Sequence, residues 1–255
     1  MLTKLPLSAV IITRNEASRI KACLESVAFA DEIVVVDSGS TDGTLEIALQ
    51  YGARIVHQEW LGFGRQKQFA VSCAAHDWVL CLDADERVSD ELRASIEAEM
   101  QKPLWGAYRF PRRNRFMGRW LKHGEGYPDW SLRLFHRAHS RWSEDAIHEK
   151  VLVDTSVGTS VGTLSGDLLH ESEESIAAYL DKQNRYTTLQ AETLHRKGRR
   201  AHIGNLLISP LLRFVKFYGV RGGFLDGVPG LIHILIGCFN SFAKYAKLME
   251  LSKRK

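Results

Sequence analysis

Two carboxylates set two residues apart, Asp83 and Asp85, close the apolar run VLCLDADE. In an extended chain, residues i and i+2 project to the same side. Hard cations such as Mg²⁺ and Mn²⁺ take oxygen ligands and bridge protein carboxylates to diphosphates. A cation held there neutralises charge on a departing nucleoside diphosphate. Alone, such a pair reads more readily as a polar strand end, so its setting has to decide. A second acidic pair, Asp37 and Asp42, lies in VVVDSGSTDGT. Small residues here let backbone approach a ligand closely, and Asp37 at a strand tip can accept hydrogen bonds from a base or ribose. Ser, Asp and Gly also favour turns and caps, and Asp42 suits a cap equally well.

The elements that must position these groups are legible. Leu7–Thr13 is a short apolar run, as a buried parallel strand requires. Ile20, Cys23, Leu24 and Val27 follow at helical spacing. Glu32–Asp37 is a second β-branched run, and Leu45, Ala48 and Leu49 mark a helix that Gly52 stops. Arg54–His57 is a third strand, Phe69, Ala70, Cys73 and Ala74 mark another helix, and Asp77–Leu82 is a fourth strand. Ser89 suits the cap of a helix with Leu92 and Ile96 on its inner face. The alternation predicts an α/β fold with a parallel sheet and helices on both faces. Ligands of such sheets bind at the carboxyl ends of the strands. TRNE, DSGSTDG and DADE all follow predicted strands, and that coincidence outweighs any one cluster.

The chain changes character after residue 104. Short strand-like runs at Ala107–Phe110, Leu132–Phe135 and Ile147–Val153 are surrounded by basic and aromatic residues, and we read this stretch as acceptor-facing. Arg112, Arg113, Arg115, Arg119 and Lys122, interleaved with Phe116 and Trp120, suit an anionic acceptor or a solvated lid. Ser175–Leu194 has the pattern of an amphipathic helix. From Ile203 the chain is apolar with scattered Lys and Arg, as in a segment that lies in a bilayer interface or packs against another subunit. The expected division is a catalytic domain over 1–200 and a basic amphipathic segment over 201–255.

With 255 residues, 45% of them hydrophobic and 25% charged, the chain has the composition of a globular protein, not a disordered or fibrous one. The formal charge of +4 is gathered at Arg109–Lys122, Arg196–Arg200 and Lys253–Lys255. No nucleic-acid-binding signature accompanies these clusters. Cys23, Cys73, Cys81 and Cys238 form no CxxC pair and read as reduced thiols of a cytoplasmic protein. The N-terminus has no signal-peptide pattern. The nearest approach to a membrane span, Gly227–Ala243, falls short of the usual length of about 20 residues.

IITRNEA, VVVDSGSTDGT and LCLDADE, in this order and spacing, closely resemble the inverting glycosyltransferases of family 2. The resemblance covers about the first 100 residues. It implies a GT-A type nucleotide-sugar-binding fold, a mostly parallel sheet flanked by helices with a C-terminal helical appendage, and a divalent cation, Mg²⁺ or Mn²⁺. It places Thr13, Asn15 and Glu16 by the nucleotide, Asp37 at the base and Asp42 close by. Lys67, in GRQKQFA, becomes the basic helix position near the donor. Asp83 contacts ribose or metal, and Asp85 binds the metal. YPDWSLRLFHR, AIHEKV and RFVKFYGVRGGFLDGVPG resemble a narrower group, bacterial lipopolysaccharide-core β-1,4-glucosyltransferases. That implies transfer of glucose from UDP-glucose to an inner-core heptose, at the inner face of the cytoplasmic membrane and with a possible homo-oligomer.

Inversion by direct displacement needs a base for the acceptor hydroxyl. Many relatives use an Asp in a Glu-Asp pair before a helix. Here Glu144-Asp145 precedes a strand-like stretch, and His148-Glu149 matches the subgroup better. Glu149 is the first candidate base, Asp145 the second, and Asp129 follows. His148 would orient the base or approach the metal, and His170 in LLHES would ligate the metal from the far side. Capsule, teichoic-acid and peptide precursors are alternative acceptors. Two rivals of other classes are a nucleotidyltransferase, which would carry a Gly-rich loop where TRNEA stands, and a non-catalytic nucleotide-sugar-binding protein.

Overall fold

The computed structural model describes residues 4–145, 149–171 and 175–253. The chain forms two compact units, Met1–Arg112 with Trp130–His170, and Arg113–Asp129 with Glu171–Lys255.

The first unit opens with β1 (Leu7–Thr13), α1 (Ile20–Ser26), β2 (Glu32–Asp37), α2 (Thr44–Gln50), β3 (Arg54–His57), α3 (Phe63–Cys73) and β4 (Trp78–Asp83). The expected alternation is therefore present. All seven residues of β1 are buried. β1 pairs in parallel with β2 and with β4, and β2 with β3. The register sets Thr13 opposite Asp37 and Ile12 opposite Asp83. The tips of three neighbouring strands thus end in one row, where a parallel sheet presents its ligand site. Side chains alternate between two cores. Ala9, Ile11, Leu80 and Leu82 meet Ile20 and Leu24 of α1. Val10, Ile12, Val34, Val36, Val79 and Cys81 meet Ala70 and Val71 of α3. Period-two alternation in buried strands yields two apolar faces, each covered by helix.

Further along come β5 (Glu86–Val88), α4 (Asp90–Glu99), β6 (Ala107–Phe116), β7 (Arg119–Trp120), β8 (Asp129–His136), β9 (Ser140–Trp142), β10 (Val151–Val153), β11 (Val161–Thr163) and β12 (Leu168–Glu171). Ser89 caps α4, its hydroxyl accepting from the Leu92 amide at 3.3 Å. The sheet order is β3-β2-β1-β4-β8-β6-β12-β5. β8 runs antiparallel to β4, with Phe135 opposite Val79. The sheet is mixed: β1 to β4 pair in parallel, β8 joins β4 antiparallel, and β6 takes β7 antiparallel but β11 parallel. β9 and β10 form a separate hairpin in which Val151 faces Trp142. The connecting residues 146–148 lie outside the described residues, and with them the candidate His148.

The second unit holds α5 (Ile176–Arg196), α6 (Ile203–Phe214) and α7 (Gly227–Lys253). Ser175 caps α5 through the Ala178 amide at 3.1 Å. α5 and α6 each pack on α7. Asp226, buried before α7, accepts from the amides of Lys122 and His123. α6 has no buried residue. Leu207, Leu211 and Leu212 are each 62% exposed. Two helical stretches, Ile203–Val220 and Gly223–Lys253, are long and apolar enough to cross a membrane by length and composition. The sequence pattern alone stopped at the polar residues after Ala243; the helix itself continues through them.

Candidate active site

Three loops meet at the strand tips. Asn15, after β1, adopts a left-handed backbone with φ 55°. Its side-chain oxygen accepts from the Thr41 amide at 2.8 Å, and its own amide donates to the Ser40 hydroxyl at 2.9 Å. The TRNE and DSGSTDG loops are therefore stitched together. Asp37, 2% exposed, accepts from the amides of Gly39 and Ser40 at 2.9 and 3.0 Å. Asp42 accepts from the amide of Ala17 and from the amide and hydroxyl of Thr44, and the Thr44 hydroxyl in particular lowers its carboxyl pKa. Both Asp37 and Asp42 close turns, the local role their neighbours allow. Glu16 is raised, first by burial and further by the nearby charges of Asp85 and Asp42, against the pull of Arg19.

The tip of β4 is the centre of a largely buried ionic network. Lys67, on α3 and 3% exposed, donates to Asp83 Oδ2 at 3.1 Å and to Glu149 Oε1 at 3.0 Å. Arg133, on β8 and 5% exposed, donates to Asp83 Oδ2 at 3.2 Å and to Glu86 Oε1 at 2.9 Å. Arg112 reaches Glu86 Oε1 at 3.3 Å. Both Lys67 and Arg133 lie against one indole, with Lys67 Nζ at 5.0 Å and Arg133 Cζ at 5.3 Å from the Trp142 ring centre. Burial alone would raise the Asp83 carboxyl, but the charges of Lys67 and Arg133 outweigh it and hold it well below the usual carboxylate range. Burial alone would lower the Arg133 guanidinium, and Glu86 and Asp83 reverse that. Three cations, Lys67, Arg112 and Arg133, thus face three carboxylates, Asp83, Glu86 and Glu149, so each charge of this network has a counter-charge.

A second pair of side chains offers metal-ligand atoms. Asp85 Oδ2 lies 3.1 Å from His170 Nε2, a strand pairing having set β12 beside β5. Asp83 Oδ1 is buried and has no hydrogen-bond partner. Among the described residues, no three His, Cys, Asp or Glu side chains gather around a single point. The set fits a small hard cation that takes one or two carboxylates from protein and the rest of its shell from water and phosphate oxygens.

Of the expected site residues, Lys67, Asp83 and Glu149 are brought together, and Asp85 meets His170. Thr13 sits buried at its strand tip, its hydroxyl without a partner. Asp145 is exposed in the loop after β9 and takes no part, among the described residues, in the network. Its neighbour Glu144 pairs with Arg65 at 2.9 Å. Sequence reasoning missed Arg133, Glu86 and Trp142. A signal existed for Arg133: a charge between Leu132 and Leu134 in an apolar run demands a buried partner. The expected basic stretch is divided, for Arg115 pairs with Glu171 and Arg119 with Asp226, both in the second unit.

The family model described as glycosyl transferase family 2 matches residues 8–151. The lipopolysaccharide core biosynthesis glycosyltransferase LpsC of Rhizobium meliloti is 32% identical over 98% of this chain and 94% of its own length. The mannosyltransferase PcManGT of Pyrobaculum calidifontis, solved with GDP-Man and Mn²⁺, superposes with a TM-score of 0.55 at 16% identity, covering 99% of this chain and 89% of that one. S. aureus TarS 1–349, solved with UDP-GlcNAc, gives a TM-score of 0.50 at 15% identity over 98% and 92% of the two chains. Both share the GT-A fold described above.

Proposed function

The chain belongs to glycosyltransferase family 2, and from that premise we propose a metal-dependent inverting hexosyltransferase that moves glucose from UDP-glucose onto a heptose of the lipopolysaccharide inner core. The observation that carries this reading is the Lys67 bridge between Asp83, at the donor strand tip, and Glu149, the candidate base. Thr13, Asn15, Glu16, Asp37 and Asp42 line the nucleotide end. Asp85 and His170 would hold the divalent cation, with Asp83 on the nucleotide side of it. That cation, when bound, supplies positive charge to the leaving diphosphate. Glu149 takes the proton of the acceptor hydroxyl, whose oxygen bonds to the anomeric carbon from the face opposite the diphosphate as the bond to the diphosphate breaks. Lys67 holds the Glu149 carboxylate in place for that transfer. The acceptor assignment draws support from likeness to LpsC, and the UDP donor and the cation from TarS and PcManGT.

The test is a donor screen that reads nucleoside diphosphate release with Mg²⁺ or Mn²⁺ and a heptose-terminated core glycolipid. UDP release from UDP-glucose should rise with acceptor, and Asp85→Asn should abolish it. If every UDP-sugar is inert, or if Asp85→Asn turns over normally, the reading fails.

The lipid acceptor calls for contact with the inner face of the cytoplasmic membrane. In support, Leu207, Ile208, Leu211, Leu212 and Val215 are all more than half exposed. The only acidic residue between Ile203 and Met249 is Asp226, which is buried, whereas Lys216, Arg221 and Lys244 fall in that stretch. An apolar face bordered by cations suits an anionic bilayer interface. The chain should sediment with phosphatidylglycerol vesicles and less with phosphatidylcholine; equal absence from both would remove this part.

A further inference from the structure

The loop entering α3 exposes three large apolar side chains beside the ionic network. Trp60 is 46%, Leu61 44% and Phe63 45% exposed. Trp60 and Phe63 meet edge to face, ring centres 4.8 Å apart. This loop is pinned. Gln66, fully buried, accepts from the Leu61 amide at 3.2 Å and donates to the Gln58 carbonyl at 3.3 Å and to the Ser38 hydroxyl at 3.0 Å. Gly64 fixes the other side: a Cβ there would stand 2.1 Å from the Ser143 carbonyl oxygen and 3.4 Å from the Glu149 Cβ. The first turn of α3 therefore lies directly on the segment that carries Glu149. Phe63 reaches the network itself, its ring centre 5.8 Å from Lys67 Nζ.

Aromatic side chains gain strongly from burial. A tryptophan and a phenylalanine held open on a pinned loop, one side chain away from the partly buried Glu149 carboxylate, make a prepared surface. Resting on the reading of Glu149 as the base, we propose that Trp60 and Phe63 form the acceptor subsite, on which the apolar C–H face of a pyranose ring stacks while one of its hydroxyls meets Glu149. A pyranose has one face of C–H groups and a rim of hydroxyls, which matches an aromatic platform bordered by a carboxylate and an ammonium. Gln66 ties this loop to Ser38 of the nucleotide-end loop, so UDP affinity has to be read beside acceptor affinity.

The test titrates the deacylated inner-core oligosaccharide of lipopolysaccharide, which carries heptose but no lipid, into the full chain saturated with UDP and Mg²⁺. Trp60→Ala and Phe63→Ala should each weaken its binding about tenfold, and Trp60→Phe should stay within about threefold of wild type. Affinity for UDP should not change in any of them, which also shows that the variants are folded. Oligosaccharide binding by Trp60→Ala equal to wild type overturns the proposal, as does an equal loss of UDP affinity. Loss confined to acylated lipopolysaccharide or to vesicles also overturns it, because the loop would then contact lipid. A wild-type chain that binds UDP but no core oligosaccharide instead defeats the acceptor reading under Proposed function, and the subsite with it.

Discussion

Asp37 finds its donors in Gly39 and Ser40, two and three residues on. Asp83, Glu86 and Glu149 find theirs in Lys67 and Arg133, 16 to 82 residues away. The first arrangement is a loop closing on itself, and it would form wherever VVDSGS ended a strand. The second exists only because β8 has been laid antiparallel beside β4 and the β9–β10 hairpin against α3. Neutral donors satisfy the first; buried charges balance the second. A self-closed loop can yield to a ligand at the cost of a few hydrogen bonds, whereas a buried charge cluster holds its geometry because loss of any member strands another. The nucleotide end and the reaction end of the site should therefore respond differently to substitution.

Arg133→Met should show the largest effect, since it leaves Glu86, whose side chain has no exposed surface, short of a cation in the interior. A loss of about 3–5 kcal/mol in urea unfolding is expected, with Arg133→Lys recovering part. A loss under about 1 kcal/mol would erase the contrast between the two regions. Glu149→Gln follows, with transfer falling by about 10²–10⁴-fold while UDP affinity holds; full activity would move the base to Asp145 or Asp129. Asp37→Asn should cost about 1–2 kcal/mol and weaken UDP binding without the collapse expected at Arg133. Equal damage at both positions would mean that the DSGSTDG loop is also a structural keystone.

The smallest effect concerns pH. Burial pushes the Cys81 thiol up to about 12, raises Cys23 as well, and with the hydrogen bond to Glu99 raises Tyr108. The folded chain keeps protons there that the unfolded chain releases, so it binds more protons at alkaline pH. The stability these groups contribute is full below the ordinary thiol pKa of about 8.5 and falls as pH rises toward the folded value. Urea midpoints between pH 7 and 10 should decline, and Cys81→Ala should flatten the slope.

Much of this was legible from the chain. The β1–β4 alternation, the helix cap at Ser89, the helix beginning near Ser175 and the polar clusters at the strand tips follow from local rules of burial period and capping. Lys67, Asp83 and Glu149 could be singled out as residues, but nothing in their spacing says that one ammonium joins the two carboxylates. Arg133 stayed hidden because DWSLRLFHR reads as a strand, and a strand's pattern does not name its neighbour. The antiparallel pairing of β8 with β4 was hidden for the same reason, since short runs such as Leu132–Phe135 carry no direction.

What the sequence determined by itself was the parallel half of the sheet, the row of polar loops at its edge and the family to which they belong, because each depends on residues close together along the chain. What only the tertiary structure decided was which charges face which: that Lys67 and Arg133 share Asp83 over the Trp142 ring, that Asp85 meets His170, and that the Trp60–Phe63 loop stands beside Glu149. Pairings across 16 to 85 residues depend on strand order and register, and those are fixed by the collective burial of two apolar faces.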